Sequence, residues 1–500
     1  MDNNKLYCIY YLEADLKLVS PLALGNGEGR HADQDVFLNL DGQAVIPGTS
    51  IAGVTYHYFS DVVRYSPQKY PAGEQERINQ LWGHANGEDQ TAISSMILFY
   101  DAVSSKKAEP WLMIRDQVAV EEGTGTAADM GKRDLEAVSP SDENLLSFRI
   151  EVQIREKYKE LTEFAGTILK NIVLLGMEGK LRFGGKTSRG YGKVVLSRPR
   201  WKKLTFYNKD AKAGAEENVE AVRYAAQEYI RFRWKEDQLE AMTELADCMR
   251  YCVDDWELRL PLRLDRTLNI RSYDTSTWDV DSKSMTVDRG RKDRAEEQPF
   301  TVIPGTSWAG AFRHHIKEIL KQIYWETGGK TLSPAEMETV LLIPLFGTKK
   351  DRGKDEKTGS AQGFRSRIIF EESEDEELVS KFADVSRIRI DRFTGGVASG
   401  GLLTERVALD GRFWLHVIVR NARDYEKALV YLAAEDLMSG GLAIGGETGI
   451  GRGIFRLDEE RIKKSGETLP DPTPWYQALT SVLKKWEDTD EEGTEGHSRR

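Results

Sequence analysis

The 500-residue sequence has few of the residues that mark disulfide-bonded or zinc-binding proteins. It contains three cysteines, seven histidines and no Cys-x-x-Cys pair. Three cysteines are too few for a disulfide framework. Cys248 and Cys252 lie four residues apart in a segment that favours helix, where they would pack rather than bind a metal. We therefore expect no structural zinc site and a cytoplasmic location.

The sequence also lacks any run of eighteen or more apolar residues. A transmembrane helix needs about 20 such residues, so we expect no membrane partner. Residues 1–5 (MDNNK) are not followed by the apolar region of a secretory signal peptide, and we expect none.

An excess of positive charge is missing as well. Lys and Arg number 70 against 81 Asp and Glu, which gives a formal net charge of −11. A free-standing, non-specific nucleic-acid binder is usually basic, so the charge counts weakly against that class. Any contact with nucleic acid would be confined to local basic grooves. The 40% hydrophobic content is nevertheless sufficient for folded cores.

The sequence does contain an internal repeat. Three unrelated motifs occur twice, in the same order and at nearly the same spacing, which indicates a tandem duplication. The pairs are residues 46–53 (IPGTSIAG) with 303–310 (IPGTSWAG), 81–83 (LWG) with 345–347 (LFG), and 181–192 (LRFGGKTSRGYG) with 442–453 (LAIGGETGIGRG). Each copy begins with an alternating, strand-like segment, at 7–18 and at 257–264.

The duplication predicts four segments. They are a first domain at 1–205, a connector at 206–255, a second domain at 256–460 and a charged C-terminal tail at 461–500. The connector is rich in helix-forming residues and is predicted to be helical. The tail contains one short candidate helix at 474–486 and then becomes acidic, which is typical of disordered termini.

The Pro-Gly-Thr-Ser motif predicts a turn that leads into a helix, with Thr49 or Ser50 as the cap. An exposed helix N-terminus presents amide donors and the positive end of the helix dipole, which suits a phosphate. A plain helix cap without a ligand is the alternative. The candidate binding residues here are Gly48, Thr49, Ser50, Gly305, Thr306, Ser307 and Arg313.

The glycine-rich motif predicts a loop that lies against a ligand. Glycines permit close backbone approach, hydroxyls and amides serve phosphate oxygens, and a tyrosine stacks on a base. The motif is not a Walker A loop, because Lys180 stands where that motif needs glycine. An unliganded glycine-rich hairpin is the alternative. The candidates are Gly184, Gly185, Lys186, Thr187, Ser188, Arg189 and Tyr191, with Gly445, Gly446, Thr448 and Arg452 in the second copy.

Together these motifs resemble the RAMP superfamily of CRISPR-associated proteins, and among them the backbone subunits of type III effector complexes. Two such domains in one chain are similar to the tandem backbone subunits of some type III-D complexes. The resemblance implies an α+β fold with two tandem ferredoxin-like, RRM-related domains. It also implies an inserted β-hairpin thumb in each domain, beginning near residues 120–125 and 390–396.

The same resemblance implies the function and the partners. A crRNA is gripped by the glycine-rich loops, and the thumb is wedged into the duplex of guide and target RNA. The implied partners are the crRNA, the target RNA, further backbone subunits, a large signature subunit and a small subunit.

In catalytic members of the family, an aspartate on the loop between the first strand and the Pro-Gly motif cuts target RNA with a divalent metal, here expected to be Mg2+ or Mn2+. In this sequence the resemblance points to Asp33, with Asp35 as runner-up, and in the second copy to Asp281, with Asp279 and Asp288 as runners-up. A carboxylate there would hold the metal and position a water or the attacking 2′-hydroxyl. A solvated loop carboxylate without a catalytic role is the alternative.

Three other functions stay open on the sequence. The chain could be a backbone subunit without an active site. It could be a crRNA-processing endoribonuclease of the same superfamily, which usually needs a histidine or tyrosine base near the glycine loop, although neither loop contains a histidine. An unrelated metabolic enzyme would have to explain why both motifs are duplicated without a nucleotide-binding fingerprint.

Overall fold

The computed structural model describes most of the chain, in two compact units. The residues outside the description are 1–4, 26, 28, 30–31, 86–91, 122–125, 206–238, 244, 246–247, 274–279, 288–299, 330–331, 349–364, 376–380, 467 and 494–500. The first unit comprises Met1–Ile114, Leu135–Thr187 and Tyr191–Val253. The second comprises Arg115–Asp134, Ser188–Gly190 and Asp254–Arg500.

The described part of the first copy contains ten strands and three α-helices, and one further described strand follows it. The strands are β1 (Leu6–Leu18), β2 (Gln43–Ile46), β3 (His84–Ala85), β4 (Ala92–Ile93), β5 (Ile97–Phe99), β6 (Ala102–Lys107), β7 (Leu112–Val120), β8 (Ala127–Val138), β9 (Leu146–Arg155), β10 (Val194–Thr205) and β11 (Glu240–Ala241). The helices are α1 (Gly48–Tyr65), α2 (Glu74–Trp82) and α3 (Thr162–Met177).

The core of the first unit is an antiparallel sheet with strand order β10-β1-β9-β5. The alternating segment at 7–18 forms the central strand β1, as predicted. Helix α3 packs on β1 and β10, and α1 packs on β5. Because α3 is largely apolar, side chains such as Ile168, Leu169 and Ile172 are fully buried. This is the β-α-β-β-α-β arrangement of a ferredoxin-like domain.

The second copy repeats these elements. Its strands are β12 (Asp255–Leu264), β13 (Arg271–Ser272), β14 (Ser282–Ser284), β15 (Thr286–Val287), β16 (Phe300–Ile303), β17 (Ile368–Phe370), β18 (Ser373–Glu374), β19 (Phe382–Ile390), β20 (Val397–Ala408), β21 (Arg412–Arg420) and β22 (Phe455–Leu457). Its helices are α4 (Gly305–Glu326), α5 (Pro334–Met337), α6 (Ile343–Phe346), α7 (Asp424–Ser439), α8 (Glu459–Ser465) and α9 (Thr473–Gly493), and a π-helical turn (Glu338–Leu342) joins α5 to α6.

The core of the second unit has strand order β22-β12-β21-β17, the same order as in the first. Helix α4 packs on β17, and α7 packs on β22. Aromatic residues from these elements, including Trp308, Phe312, Phe413 and Phe455, fill its interior. The predicted fold class, two tandem ferredoxin-like domains with α+β composition, is confirmed.

Each copy also carries a long β-hairpin, β7–β8 in the first and β19–β20 in the second. Residues 390–396, where we expected the second thumb to begin, lie instead at the turn of its hairpin, and most of 120–125 lies outside the described residues. The Asp391 amide donates to the Gly396 carbonyl at 2.8 Å and closes the second turn. The thumbs therefore begin about eight residues earlier, at Leu112 and Phe382.

Two predicted segments differ from expectation. Most of the connector, 206–238, lies outside the described residues, but its described end forms the short strand β11 and then irregular backbone at 248–254, not helix. Cys248 and Cys252 therefore do not share a helical face. The tail at 461–500 is not simply a charged extension, because α9 packs on α7 and buries Leu479 in the second core.

Candidate nucleic-acid interface

The Pro-Gly motif starts helices α1 and α4, as the sequence predicts, but without the expected caps. Pro47 and Pro304 are the N-cap residues, and neither helix has a side-chain cap from within the motif. In α1 the first amide, that of Gly48, donates to the Asp101 carboxylate at 2.7 Å. The prediction that Thr49 or Ser50 caps the helix is therefore wrong.

The two motif glycines are needed for packing. Gly48 and Gly305 are buried, and a Cβ on them would overlap the carbonyl oxygens of Phe99 and Phe370 respectively. A side chain at either position would push the helix off the neighbouring strand. We had expected these glycines to contact RNA, and their burial does not permit it. Thr49 is exposed, and Ser50, Thr306 and Ser307 are half-buried, so the helix starts still carry accessible hydroxyls.

The two glycine-rich loops share one backbone structure. The Gly185 amide donates to the Ala23 carbonyl at 2.6 Å, and its counterpart Gly446 donates to the Asn269 carbonyl at 2.8 Å. Each loop contains one 3-10 turn, Thr187–Arg189 in the first and Thr448–Ile450 in the second. The loops therefore fold alike in both copies, whatever they bind.

The backbone conformation at the end of each loop requires its last residue to be glycine. Gly192 and Gly453 have φ of 72° and 70°, in the left-handed region. A Cβ on either would overlap a carbonyl oxygen, that of Phe183 or Ile444. These glycines close the loop onto its own incoming strand.

Arg189 is the most distinctive side chain at the tip of the first loop. The carbonyl carbon of Arg189 would lie 2.6 Å from a Cβ on Gly305, so the loop tip rests on the start of α4 inside the second unit. Burial lowers the pKa of the Arg189 guanidinium, and the nearby Arg313 guanidinium lowers it further. Arg313 itself is paired with Glu338 at 3.1 Å. Among the described residues, Arg189 has no anionic partner, which is costly unless a ligand supplies one.

Two candidate residues of the loops are not available to a ligand. Tyr191 is 2% exposed and packs in a small apolar cluster with Leu135 and Ala137, so it cannot stack on a base. Arg452 is 5% exposed and ion-paired with Glu405 and Glu447. Both predictions are wrong because the residue type indicated its chemistry but not its burial.

The remaining loop candidates lie at or near the surface. Gly184 and Gly185 are exposed, and Lys186, Thr187 and Ser188 are half-buried. In the second loop Gly445 and Thr448 take equivalent places. The counterpart of Lys186 is Glu447, which pairs with Arg271 at 2.9 Å. The first loop therefore carries a cation where the second carries an ion-paired carboxylate.

The two candidate aspartates occupy equivalent positions. Asp33 precedes Gln34, which forms a parallel bridge to Leu135 on β8. Asp281 precedes Ser282, which pairs in parallel with Glu405 on β20. Leu135 and Glu405 are themselves equivalent, because the bridges from Leu22 to Val138 and from Leu268 to Ala408 fix the same register three residues later. Each aspartate thus lies beside the base of its own thumb.

Both aspartates are exposed. The Asp281 carboxylate accepts a hydrogen bond from the Thr404 amide at 2.7 Å, and the Asp281 amide donates to the Thr404 carbonyl at 2.8 Å. These bonds hold Asp281 against the outgoing thumb strand. Its position is therefore set by backbone, not by a flexible loop.

Of the runner-up aspartates, Asp35 lies among the described residues. Asp35 is 5% exposed, and its carboxylate accepts from the Ala32 amide at 2.9 Å, which is the geometry of a loop brace. Its counterpart in the second copy is Lys283, not a carboxylate. Asp279 and Asp288 lie outside the described residues.

The sequence profile of the RAMP superfamily matches residues 15–195 and 290–456, which together make up more than half of the chain. The chain belongs to the RAMP superfamily. The two matched regions fall within the two ferredoxin-like copies. No curated protein matches the chain. Membership of this superfamily indicates an RNA-binding role associated with CRISPR systems.

The thumbs of this RAMP protein carry exposed apolar side chains. Phe393 is 96% exposed in the turn between β19 and β20, and Met130 is 91% exposed within β8. Single exposed apolar side chains are common on folded proteins, so the position of Phe393 at a hairpin turn is more informative than its exposure.

The described residues of this RAMP protein contain no group of three or more metal-ligating side chains. Each site offers one exposed aspartate. Mg2+ is commonly held by one or two carboxylates, with water and substrate phosphates completing its shell. The donor set therefore fits a metal shared with bound RNA and does not form a cage made of protein alone. No described helix is long and apolar enough to cross a membrane.

Proposed function

We propose that this RAMP protein is a crRNA-binding backbone subunit of a type III CRISPR effector complex, similar to the tandem subunits of type III-D. It holds the duplex of guide and target RNA and cleaves the target through Asp33 and Asp281. Its partners are the crRNA, the target RNA, further backbone subunits, a large signature subunit and a small subunit.

One observation carries the proposal. Both ferredoxin-like cores place an exposed aspartate beside the base of a thumb hairpin, in the same register on the outgoing strand. Two copies of one arrangement on one chain favour two cuts in the target, one for each copy. A loop that merely connected two elements would not need to keep a carboxylate at the same register in both copies.

The grip on the guide is supported by the first glycine loop. Its exposed glycines allow a ribose-phosphate strand to approach the backbone closely. Lys186 and Arg189 supply positive charge at the same loop, and Arg189 is held among like charge without an anion in the described part of the chain. A bound RNA phosphate would supply the negative charge that offsets these guanidinium groups.

The chemistry assigned to the chain itself is positioning and proton transfer. The Asp281 carboxylate, fixed by the Thr404 amide, keeps its other oxygen for the RNA and can accept the proton of an attacking 2′-hydroxyl. Mg2+ or Mn2+, when bound by Asp33 or Asp281 and a phosphate oxygen, would stabilise the charge that develops on the phosphate. Phe393, at the turn of the second thumb, would separate neighbouring bases.

A scaffold without cleavage is the second candidate, and one observation favours it. The hydrogen bond between the Asp281 carboxylate and the Thr404 amide would anchor the loop even if no chemistry took place there. Under this reading the protein binds guide RNA and target but leaves the target whole.

Reconstitution with guide RNA and a labelled complementary target tests both candidates. We expect discrete target fragments in the presence of Mg2+ and intact target after addition of EDTA. Binding of the target without fragments would favour the scaffold, and failure to bind guide RNA would refute the proposal.

A further inference from the structure

The second unit contains a buried ion cluster beside Asp281. Glu405 is fully buried, and its carboxylate accepts from Arg271 at 2.9 Å, Arg387 at 2.6 Å and Arg452 at 3.1 Å. Glu447 pairs with the same three arginines. We call these five residues the arginine cluster. With three guanidinium groups and two carboxylates, the cluster keeps one positive charge in excess.

The cluster lies directly behind the candidate aspartate. The Ser282 hydroxyl is 3.4 Å from the Glu405 carboxylate, and Asp281 immediately precedes Ser282. The Thr404 amide, which holds the Asp281 carboxylate, immediately precedes Glu405. Any anion that approaches Asp281 therefore also approaches the excess charge of the cluster.

The described residues of the first copy form no such cluster at the equivalent positions. Strand register and loop alignment place Gly25, Gln117, Leu135, Lys186 and Tyr191 at the five equivalent positions. Two of these, Leu135 and Tyr191, are packed in an apolar cluster instead. Stability alone does not require charge here, because the apolar packing fills the same place in the same fold. Buried ion pairs are often no more stabilising than apolar packing, so the charge in the second copy points to another use.

Two of the three arginines reach the surface. The side chains of Arg271 and Arg387 are 37% and 35% exposed, whereas that of Arg452 is 6% exposed. Arg389 lies two residues beyond Arg387 on β19, where the pairing with β20 is irregular, and is exposed without a partner among the described residues. The two glutamates thus fix Arg271 and Arg387 in place while part of each guanidinium faces solvent. A fixed guanidinium is well suited to a phosphate, since little side-chain entropy remains to be lost.

We infer that Arg271, Arg387 and Arg389 form a phosphate-binding track for RNA that leads to Asp281 and has no counterpart among the described residues of the first copy. This inference rests on the proposed RNA-binding function and adds to it that the two copies hold RNA through different side chains. The strand that passes Asp281 is held by arginine side chains, whereas the strand that passes Asp33 has Lys186 as its nearest equivalent cation.

The test compares RNA binding by the full chain across a salt series. The variant R387Q/E405Q removes one charge of each sign, so the excess charge of the cluster and the net charge of the protein both stay as they are. A single-stranded guide that loses one phosphate contact should show a slope of log affinity against log salt that is smaller by about 0.7. A purely structural role for Arg387 would predict the wild-type slope, because no buried charge is left unpaired.

A control variant, R64Q, removes a positive charge from the exposed end of α1, and its slope should equal that of the wild type. If R387Q/E405Q fails to fold, R389Q serves instead, since Arg389 is exposed and should be replaceable without loss of stability. Wild-type affinity and slope in the folded variant would overturn the inference while leaving the proposed function intact. Failure of the wild-type protein to bind guide RNA would instead refute the proposed function.

Discussion

At Arg189, a role in protein stability can be distinguished from a role in ligand binding by a single substitution. Its guanidinium is partly buried beside Arg313, both effects lower its pKa, and no described residue pairs with it. In the variant R189Q no ion pair is lost and a like-charge contact is removed. We therefore expect the free energy of unfolding to change by no more than about 0.5 kcal/mol.

The same change should weaken RNA binding. One lost phosphate contact reduces the salt slope for a single strand by about 0.7. Arg452 gives the opposite pattern. It is buried between Glu405 and Glu447, so R452Q should cost about 3–5 kcal/mol of stability because two buried carboxylates each lose an ion pair.

Thermal or urea unfolding measures the stability of each variant. Fluorescence anisotropy with a labelled guide across a salt series measures the salt dependence of its RNA binding. R189Q should give the wild-type unfolding curve and a shallower salt dependence. A strong loss of stability in R189Q with an unchanged salt slope would refute the argument that Arg189 is held for an RNA phosphate.

Three further predictions follow from the structure. D33A and D281A should each remove one of two target cuts in Mg2+ while guide binding stays at the wild-type level, as gels of labelled target would show; unchanged cutting by both would contradict the assignment. G453A should destabilise the second unit by more than about 2 kcal/mol in urea unfolding, because Gly453 has a φ of 70° and a Cβ there would overlap the Ile444 carbonyl. The control G449A should be nearly neutral, since no atom lies within 4 Å of a Cβ built at Gly449. Equal losses of stability in the two variants would contradict this argument. F393S should leave stability unchanged, since Phe393 is 96% exposed. It should weaken binding of the guide–target duplex more than binding of the guide alone. Equal losses of affinity for the duplex and for the guide would contradict a role at the thumb tip.

The fold was predictable from the sequence because the repeat carries it. The Pro-Gly and glycine-rich motifs require a particular backbone, as Gly305 and Gly453 show, and a motif with such a requirement recurs where the fold recurs. The alternating segment at 7–18 gave the central strand for the same reason, since its period matches a buried sheet.

The parts that could not be predicted depend on tertiary contacts between residues distant in sequence. Nothing local distinguishes Tyr191, which is buried, from a tyrosine that stacks on a base. The arginine cluster joins β13, β19, β20 and the second glycine loop, so its members carry no common signal along the chain. Helix α9 was predicted as a short candidate helix at 474–486, but its packing on α7 was not, because that contact joins residues distant in sequence.

The central claim is that both ferredoxin-like copies lay their glycine-rich loops against one RNA strand. Photo-crosslinking of the full chain to a guide RNA that carries 4-thiouridine, followed by peptide mapping, tests this directly. We predict crosslinked peptides that span 184–189 and 445–449, and few from the surface of α8. Crosslinks confined to one copy, or absent from both loops in a protein that binds the guide, would contradict the account.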